Sequence, residues 1–140
     1  MPRTRTLIVT LALLVAASPA GAQDAFKQDS LAYARKVAAW LYSGQADSLF
    51  ANHSVDVRSR LRNSQALQDP IDELKTRAGA EEEVLAERFV KRKGRTQYWR
   101  TARFSRFQEP LLLRFAFNKQ GEIVGIGFAP ESQAPLVDAR

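Results

Sequence analysis

The stretch from Leu111 to Phe128 leaves this chain the least freedom, because it reads as two strands folded back on each other. Leu111, Leu113, Phe115 and Phe117 alternate with Leu112, Arg114 and Ala116, the period-two pattern of a strand with one well-buried face. Asn118-Lys119-Gln120-Gly121 turns the chain, with Gly121 free to take the positive φ that closes such a loop. The return strand, Ile123 to Phe128, sets Val124, Ile126 and Phe128 on one face and Ile123, Gly125 and Gly127 on the other. Glycines along one side of a strand let a sheet bend sharply or let another group rest on bare backbone. Helices must cover a hairpin this apolar.

The helices precede it. At 100° per residue, Gln23 to Tyr42 gathers Phe26, Leu31, Tyr33, Ala34, Val37, Ala38, Trp40 and Leu41 into one arc, opposite Gln28, Asp29, Arg35 and Lys36. Gly44 ends that helix as a C′ residue. A short helix from Ala46 to about Phe50 follows, with Leu49 and Phe50 turned inward. Ser54 then caps a third helix carrying Val55, Val57 and Leu61, and Ser64 caps a fourth. In the fourth, Leu67, Ile71, Leu74 and Ala78 form a helical stripe that Gly79 stops. Pro70 interrupts the stripe, so the helix starts either at Ser64 or near Asp69, where a proline in the first turn loses no hydrogen bond.

From Glu82 the period becomes alternating. Val84, Ala86, Arg88 and Val90 oppose Leu85, Glu87 and Phe89, and Lys93-Gly94-Arg95 turns into a strand from Gln97 to Phe107. Helices followed by four antiparallel strands predict an α+β domain with helices packed on one face of a curved, cone-like sheet. The stretch from Pro130 to Arg140 has two prolines, Pro130 and Pro135, and no period, so 131–140 is expected to be a flexible tail.

Ahead of the domain, Arg3 and Arg5 precede an apolar run, Leu7 to Ala17, and Ala20-Gly21-Ala22 has the small-x-small form of a signal-peptidase site. That run is too short to span a bilayer as a mature helix, so 1–22 is expected to be a removed signal peptide and 23–130 the exported domain, periplasmic or extracellular, with no membrane span left. The chain contains no cysteine, which excludes disulfides and a lipid-modified signal. Removing the signal lowers the net charge from +6 by its two arginines. Such a balance suits anionic partners without choosing one.

Three stretches together resemble the nuclear-transport-factor-2-like superfamily. They are Val37-Ala38-Ala39-Trp40-Leu41-Tyr42-Ser43-Gly44 leading into Asp47-Ser48-Leu49-Phe50, the helix end Leu74-Lys75-Thr76-Arg77-Ala78-Gly79, and the closing hairpin to Pro130. Within it the likeness is to an exported bacterial family of unknown function, sometimes fused to secreted α/β hydrolases. The resemblance covers about residues 24–130 and implies helices seated in the mouth of a strongly bent sheet. Superfamily members include isomerases, dehydratases and hydrolases as well as pure binders, so the fold does not choose a function.

The residues name no reaction. His53 lies in the polar tripeptide Asn52-His53-Ser54 without a partner carboxylate and is expected to be a surface loop residue; with no second His and no Cys, no metal site and no cofactor is implied. Asp47, Asp56, Asp69 and Asp72 sit at helix starts or on polar faces, and Glu81 to Glu83 form a solvated run. Glu87 either forms a surface ion pair with a nearby arginine or faces the cone. The basic run Arg88, Lys91, Arg92, Lys93, Arg95, Arg100, Arg103 and Arg106, interleaved with Tyr98, Trp99, Phe104 and Phe107, is either a solvated face or an anion-binding patch, with Arg100 and Arg103 at its centre. Arg114 belongs on the outer face if the odd-numbered residues of its strand meet the helices, and otherwise anchors an anion inside the cone. Tyr33, Trp40 and Trp99 are core residues or line a pocket there.

The resulting expectation is an exported, non-catalytic binding or interaction domain, with Tyr33, Trp40, Trp99, Arg100, Arg103 and Arg114 as candidate contacts. Its partner is a small apolar or anionic ligand, or an acidic protein or envelope surface, and not nucleic acid. The alternative is a small-molecule isomerase, dehydratase or hydrolase of the same superfamily. A carboxylate or Tyr–Asp pair buried in the cone separates the two. A third possibility is a homodimer formed through the sheet.

Overall fold

The structure, a computed structural model, describes residues 29–139; the expected signal peptide over 1–22, the expected helix start over 23–28, and Arg140 lie outside the described residues. Four helices lead into one antiparallel sheet: α1 (Ser30–Tyr42), α2 (Ala46–Ala51), α3 (Val55–Leu61), α4 (Gln65–Ala78), then β1 (Glu81–Arg92), β2 (Arg95–Phe104), β3 (Leu111–Phe117) and β4 (Ile123–Pro130). Strand order follows chain order, β1-β2-β3-β4, and the curved sheet does not close on itself. The chain is therefore α+β as its periodicity predicts.

Asp29 starts α1 as a cap rather than lying within a longer helix: its backbone is non-helical, with φ −147°, and its carboxylate accepts the Ala32 amide at 2.9 Å. Tyr33, Ala34, Val37, Ala38 and Leu41 form the buried stripe of α1. They meet Leu111, Leu113, Phe115 and Phe117 of β3 in one core, which Leu67, Ile71, Leu74 and Ala78 of α4 complete. The odd-numbered face of β3 thus meets the helices, and Arg114 lies on the opposite face. Aromatic rings run through this core: Tyr33 to Phe117 at 5.8 Å, Phe115 to Tyr98 at 6.1 Å, and Phe104 to Tyr42 at 6.0 Å between centroids.

Several local expectations are corrected. Pro70 sits inside α4, which begins at Gln65, so the longer of the two starts is adopted. Ser64 holds the N-cap position of that helix, but without a side-chain cap bond. Its hydroxyl donates to Asp47, while Asn63 Oδ1 accepts the Gln65 amide. β2 ends at Phe104 rather than Phe107. Ile123 joins the core beside Phe117, because an irregularity in the β3–β4 register at Ala116/Phe117 turns it to the helix side, while Gly125 and Gly127 stay outside.

Further register shifts in β1, at Glu81/Glu83 and at Val84/Ala86, decide which of its side chains face inward. They pair Glu81 with Phe104, Val84 with Ala102 and Glu87 with Arg100 on the helix side.

His53 is buried at 4% exposure instead of lying on the surface. Asn52 and Ser54 bond main chain to main chain with Ile123, which docks the α2–α3 link on the start of β4. The His53 ring is carried inward, where Nδ1 donates to the Leu49 carbonyl at 2.6 Å. Burial lowers its basicity, so the ring is neutral at pH 7.

The last residues, expected to be loose, are tied to the sheet. A 3₁₀ turn (Glu131–Gln133) is followed by a stretch whose Leu136 carbonyl accepts from Arg92 Nε, and Asp138 accepts the Lys93 and Gly94 amides at the β1–β2 turn.

Candidate functional site: the cleft beside Tyr42

The C-terminal half of α1 lies against the first half of β1 and the second half of β2, where Tyr42 meets Glu81 and Phe104, and the polar residues of the inner face collect there around Arg100. Its guanidinium grips Glu81 with two bonds, Nε to Oε2 at 2.9 Å and Nη2 to Oε1 at 2.6 Å, and reaches Glu87 Oε1 through Nη1 at 2.7 Å. Tyr42 donates to Glu81 Oε2 and Tyr98 to Glu87 Oε1, each at 2.5 Å. Arg35 closes the network from α1 with Nη2 on Glu87 Oε2 at 2.6 Å. Arg100, Glu81 and Glu87 keep only 13%, 15% and 16% of their side-chain surface exposed. Two glutamates and two arginines balance in charge, and bidentate geometry makes the Arg100 pairs strong ones.

Those contacts push the acids and phenols apart. The bond from Arg35 leads in holding Glu87 down to about 2, with Tyr98 and Arg100 adding to it against burial. Burial alone would raise Glu81, but Arg100 and Tyr42 outweigh it and leave the carboxyl below its ordinary value. Tyr98 is pushed up to about 12 by burial and by its bond to Glu87, and Tyr42 moves upward for the same kinds of reason. Glutamates here stay ionised and tyrosines stay protonated over the whole neutral range.

Tyr42 stands between two clefts. The smaller, about 380 Å³, is lined by Arg35, Ala38, Ala39, Val84, Glu87 and Arg100. The larger, about 680 Å³, opens over Leu74, Lys75, Glu81, Ser105 and Arg106. Gly79 allows its far wall. With φ +76° it ends α4 so close to the turn after β2 that a Cβ would stand 2.2 Å from Ser105 Oγ. The Ser105 and Arg106 amides bond to the carbonyls of Ala80 and Ala78, stitching the end of α4 to the end of β2. Arg106 makes one long bond, 3.5 Å, to the Thr76 carbonyl, and neither it nor Lys75 has a carboxylate partner among the described residues.

The residues singled out from the sequence do not converge. Tyr33 is core, and Trp40 lies at its edge with Lys36 Nζ 5.5 Å from the ring centroid. Arg100 faces inward, whereas Trp99, Arg103 and Arg114 face outward. Arg100 and Arg103 are therefore not one patch, because an odd step along a strand changes face; Arg103 pairs instead with Glu83 at 3.3 Å. Sequence reasoning missed Tyr42 and Glu81, and it put Glu87 at the cone only as one alternative to an ion pair. Glu87 does both. The signal for Glu81 was present in its even spacing from Glu87, which puts both on one face of a strand; the bulges, which leave no mark in the alternation, add Val84 to that face and draw Glu81 along the strand to Phe104, nearer to Arg100.

No group of three or more His, Asp or Glu side chains among the described residues is placed to hold a metal ion. Comparison with family models, curated proteins and solved structures finds no match to the chain.

Proposed function

We propose that this is an exported, non-catalytic binding domain of the nuclear-transport-factor-2-like kind, whose larger cleft beside Tyr42 takes a small molecule with an apolar body and an anionic group. The observation that carries the reading is the state of the polar network behind Tyr42 and Glu81, the two members of it that line this cleft. Glu87 is held near 2 and Tyr98 near 12, and neither gives or takes a proton at neutral pH, as acid–base catalysis requires. The network instead fixes the Tyr42 hydroxyl. Leu74 supplies an apolar wall, and Lys75 and Arg106 supply positive charge with no carboxylate against them. Export belongs to the same proposal and rests on the leading Arg3 to Ala22 segment.

The enzyme reading draws on one feature, the tyrosine–carboxylate pairs at the mouth of the sheet. It needs one of those groups to titrate near neutrality.

Fluorescence titration with anilinonaphthalenesulfonate, an aromatic body bearing one sulfonate, tests the cleft. Saturable one-to-one binding is expected, weakened by about tenfold or more in Lys75→Glu/Arg106→Glu with the circular dichroism unchanged. Equal binding by that variant removes the cleft from the account. A carboxyl resonance of Glu81 or Glu87 titrating near neutrality assigns the site to the enzyme reading.

A further inference from the structure

The face of the sheet turned away from the helices carries a row of residues in register across all four strands: Arg88 beside Trp99, Trp99 beside Arg114, and Arg114 beside Gly127. The Arg88 guanidinium lies over the Trp99 ring, 5.1 Å from its centroid. Arg114 rests on the bare backbone of Gly127, where a Cβ would stand 3.1 Å from its Nη2. Arg92 shares this face by strand alternation and lies close enough to act on Arg114, whose basicity burial lowers first and the Arg92 charge lowers further. Among the described residues, neither Arg88 nor Arg114 has a carboxylate at ion-pair distance. Arg114 Nε is buried with no hydrogen-bond partner. One acid acts on Arg92, namely Asp138, and its two oxygens accept the Lys93 and Gly94 amides.

Like charges held together cost folding free energy, and an anion whose oxygens reach the outer nitrogens of the guanidinium groups relieves that cost. Planar guanidinium forks match such oxygens better than ammonium groups do. We infer that Arg114 and Arg92, with Arg88 across Trp99 in the same row, form a binding site for a tetrahedral oxyanion of the phosphate or sulfate type, free or carried on a larger molecule. This site is on the opposite face of the sheet from the Tyr42 cleft and stands independently of that reading.

Thermal melts of the chain in inorganic phosphate, against sodium chloride of equal ionic strength, test the inference. The wild type is expected to melt several degrees higher in phosphate. Arg114→Met is expected to melt at least as high as the wild type in chloride, since it removes an unpaired charge, and to lose the phosphate increment. Should Arg114→Met fail to fold, Gly127→Ala carries the same test, because it keeps every charge but displaces the guanidinium. No increment over chloride in the wild type, or an undiminished increment in the variant, overturns the site. Sedimentation with phosphatidylglycerol vesicles, lost in the variant and absent with phosphatidylcholine, assigns the anion to a lipid headgroup; a phosphate increment without vesicle binding assigns it to a soluble phosphate.

Discussion

Arg100 does at residue scale what no other side chain of the inner face does: it holds two glutamates in one place. Replacing it with methionine would leave Glu81 and Glu87 ionised, close together and three-quarters or more covered. A loss of roughly 3 kcal/mol in unfolding free energy is expected by urea denaturation, since removing one partner strands the others. The same carboxylates set an acid limit. Both are depressed in the folded state, so the stability they contribute is complete above their ordinary value of 4.5 and is lost as pH falls toward the value of about 2 held by Glu87. His53, also depressed, contributes above its ordinary 6.5 and begins to lose that contribution below it. Calorimetry from neutral pH downward should therefore show a shallow decline first and a steeper one below 4.5, and Glu87→Gln should flatten the steeper part.

Among the elements, α4 is the one whose sequence works against its own structure. Pro70 is its sixth residue, so no amide is available for the Ala66 carbonyl one turn back. The helix persists because Leu67, Ile71, Leu74 and Ala78 are buried on one stripe, and that burial outweighs the missing bond. Pro70 itself is exposed, so replacing it opens no cavity in the core. Pro70→Ala is expected to raise the stability by about 1–3 kcal/mol, read from the shift in the denaturation midpoint at unchanged slope. The strands behave differently: β2 and β3 are set by their own alternation, whereas the bulges of β1 and β4 turn individual residues to the other face.

At the scale of the molecule, an open sheet has an inner face filled by helices and an outer face left to pair or to stay solvated. Arg88, Arg92 and Arg114 populate the outer face, and a second copy laid against it would set arginines against arginines. A monomer is expected by light scattering at low ionic strength; a dimer that persists there would restore the sheet-pairing possibility. Among the described residues no helix is long and apolar enough to cross a membrane.

The order of helices and strands, the α1 and α4 stripes and the closing hairpin were determined by the sequence alone, because hydrophobic periodicity is a local property that burial simply reads out; the side taken by Arg114, open between two alternatives in the sequence, was decided by the packing of the odd-numbered β3 residues against the helices. The candidate site was not legible in that way. Glu81 and Arg100 are nineteen residues apart, and Tyr42 stands thirty-nine before Glu81. Only the curvature of the sheet and the register shifts of β1 bring them together. His53 shows the same limit from the other side: its tripeptide is polar, yet three main-chain and side-chain bonds to Ile123 and Leu49 make its burial affordable. Local pattern fixes which face a residue takes in a regular element, and tertiary packing alone decides where that regularity breaks and which distant charges meet.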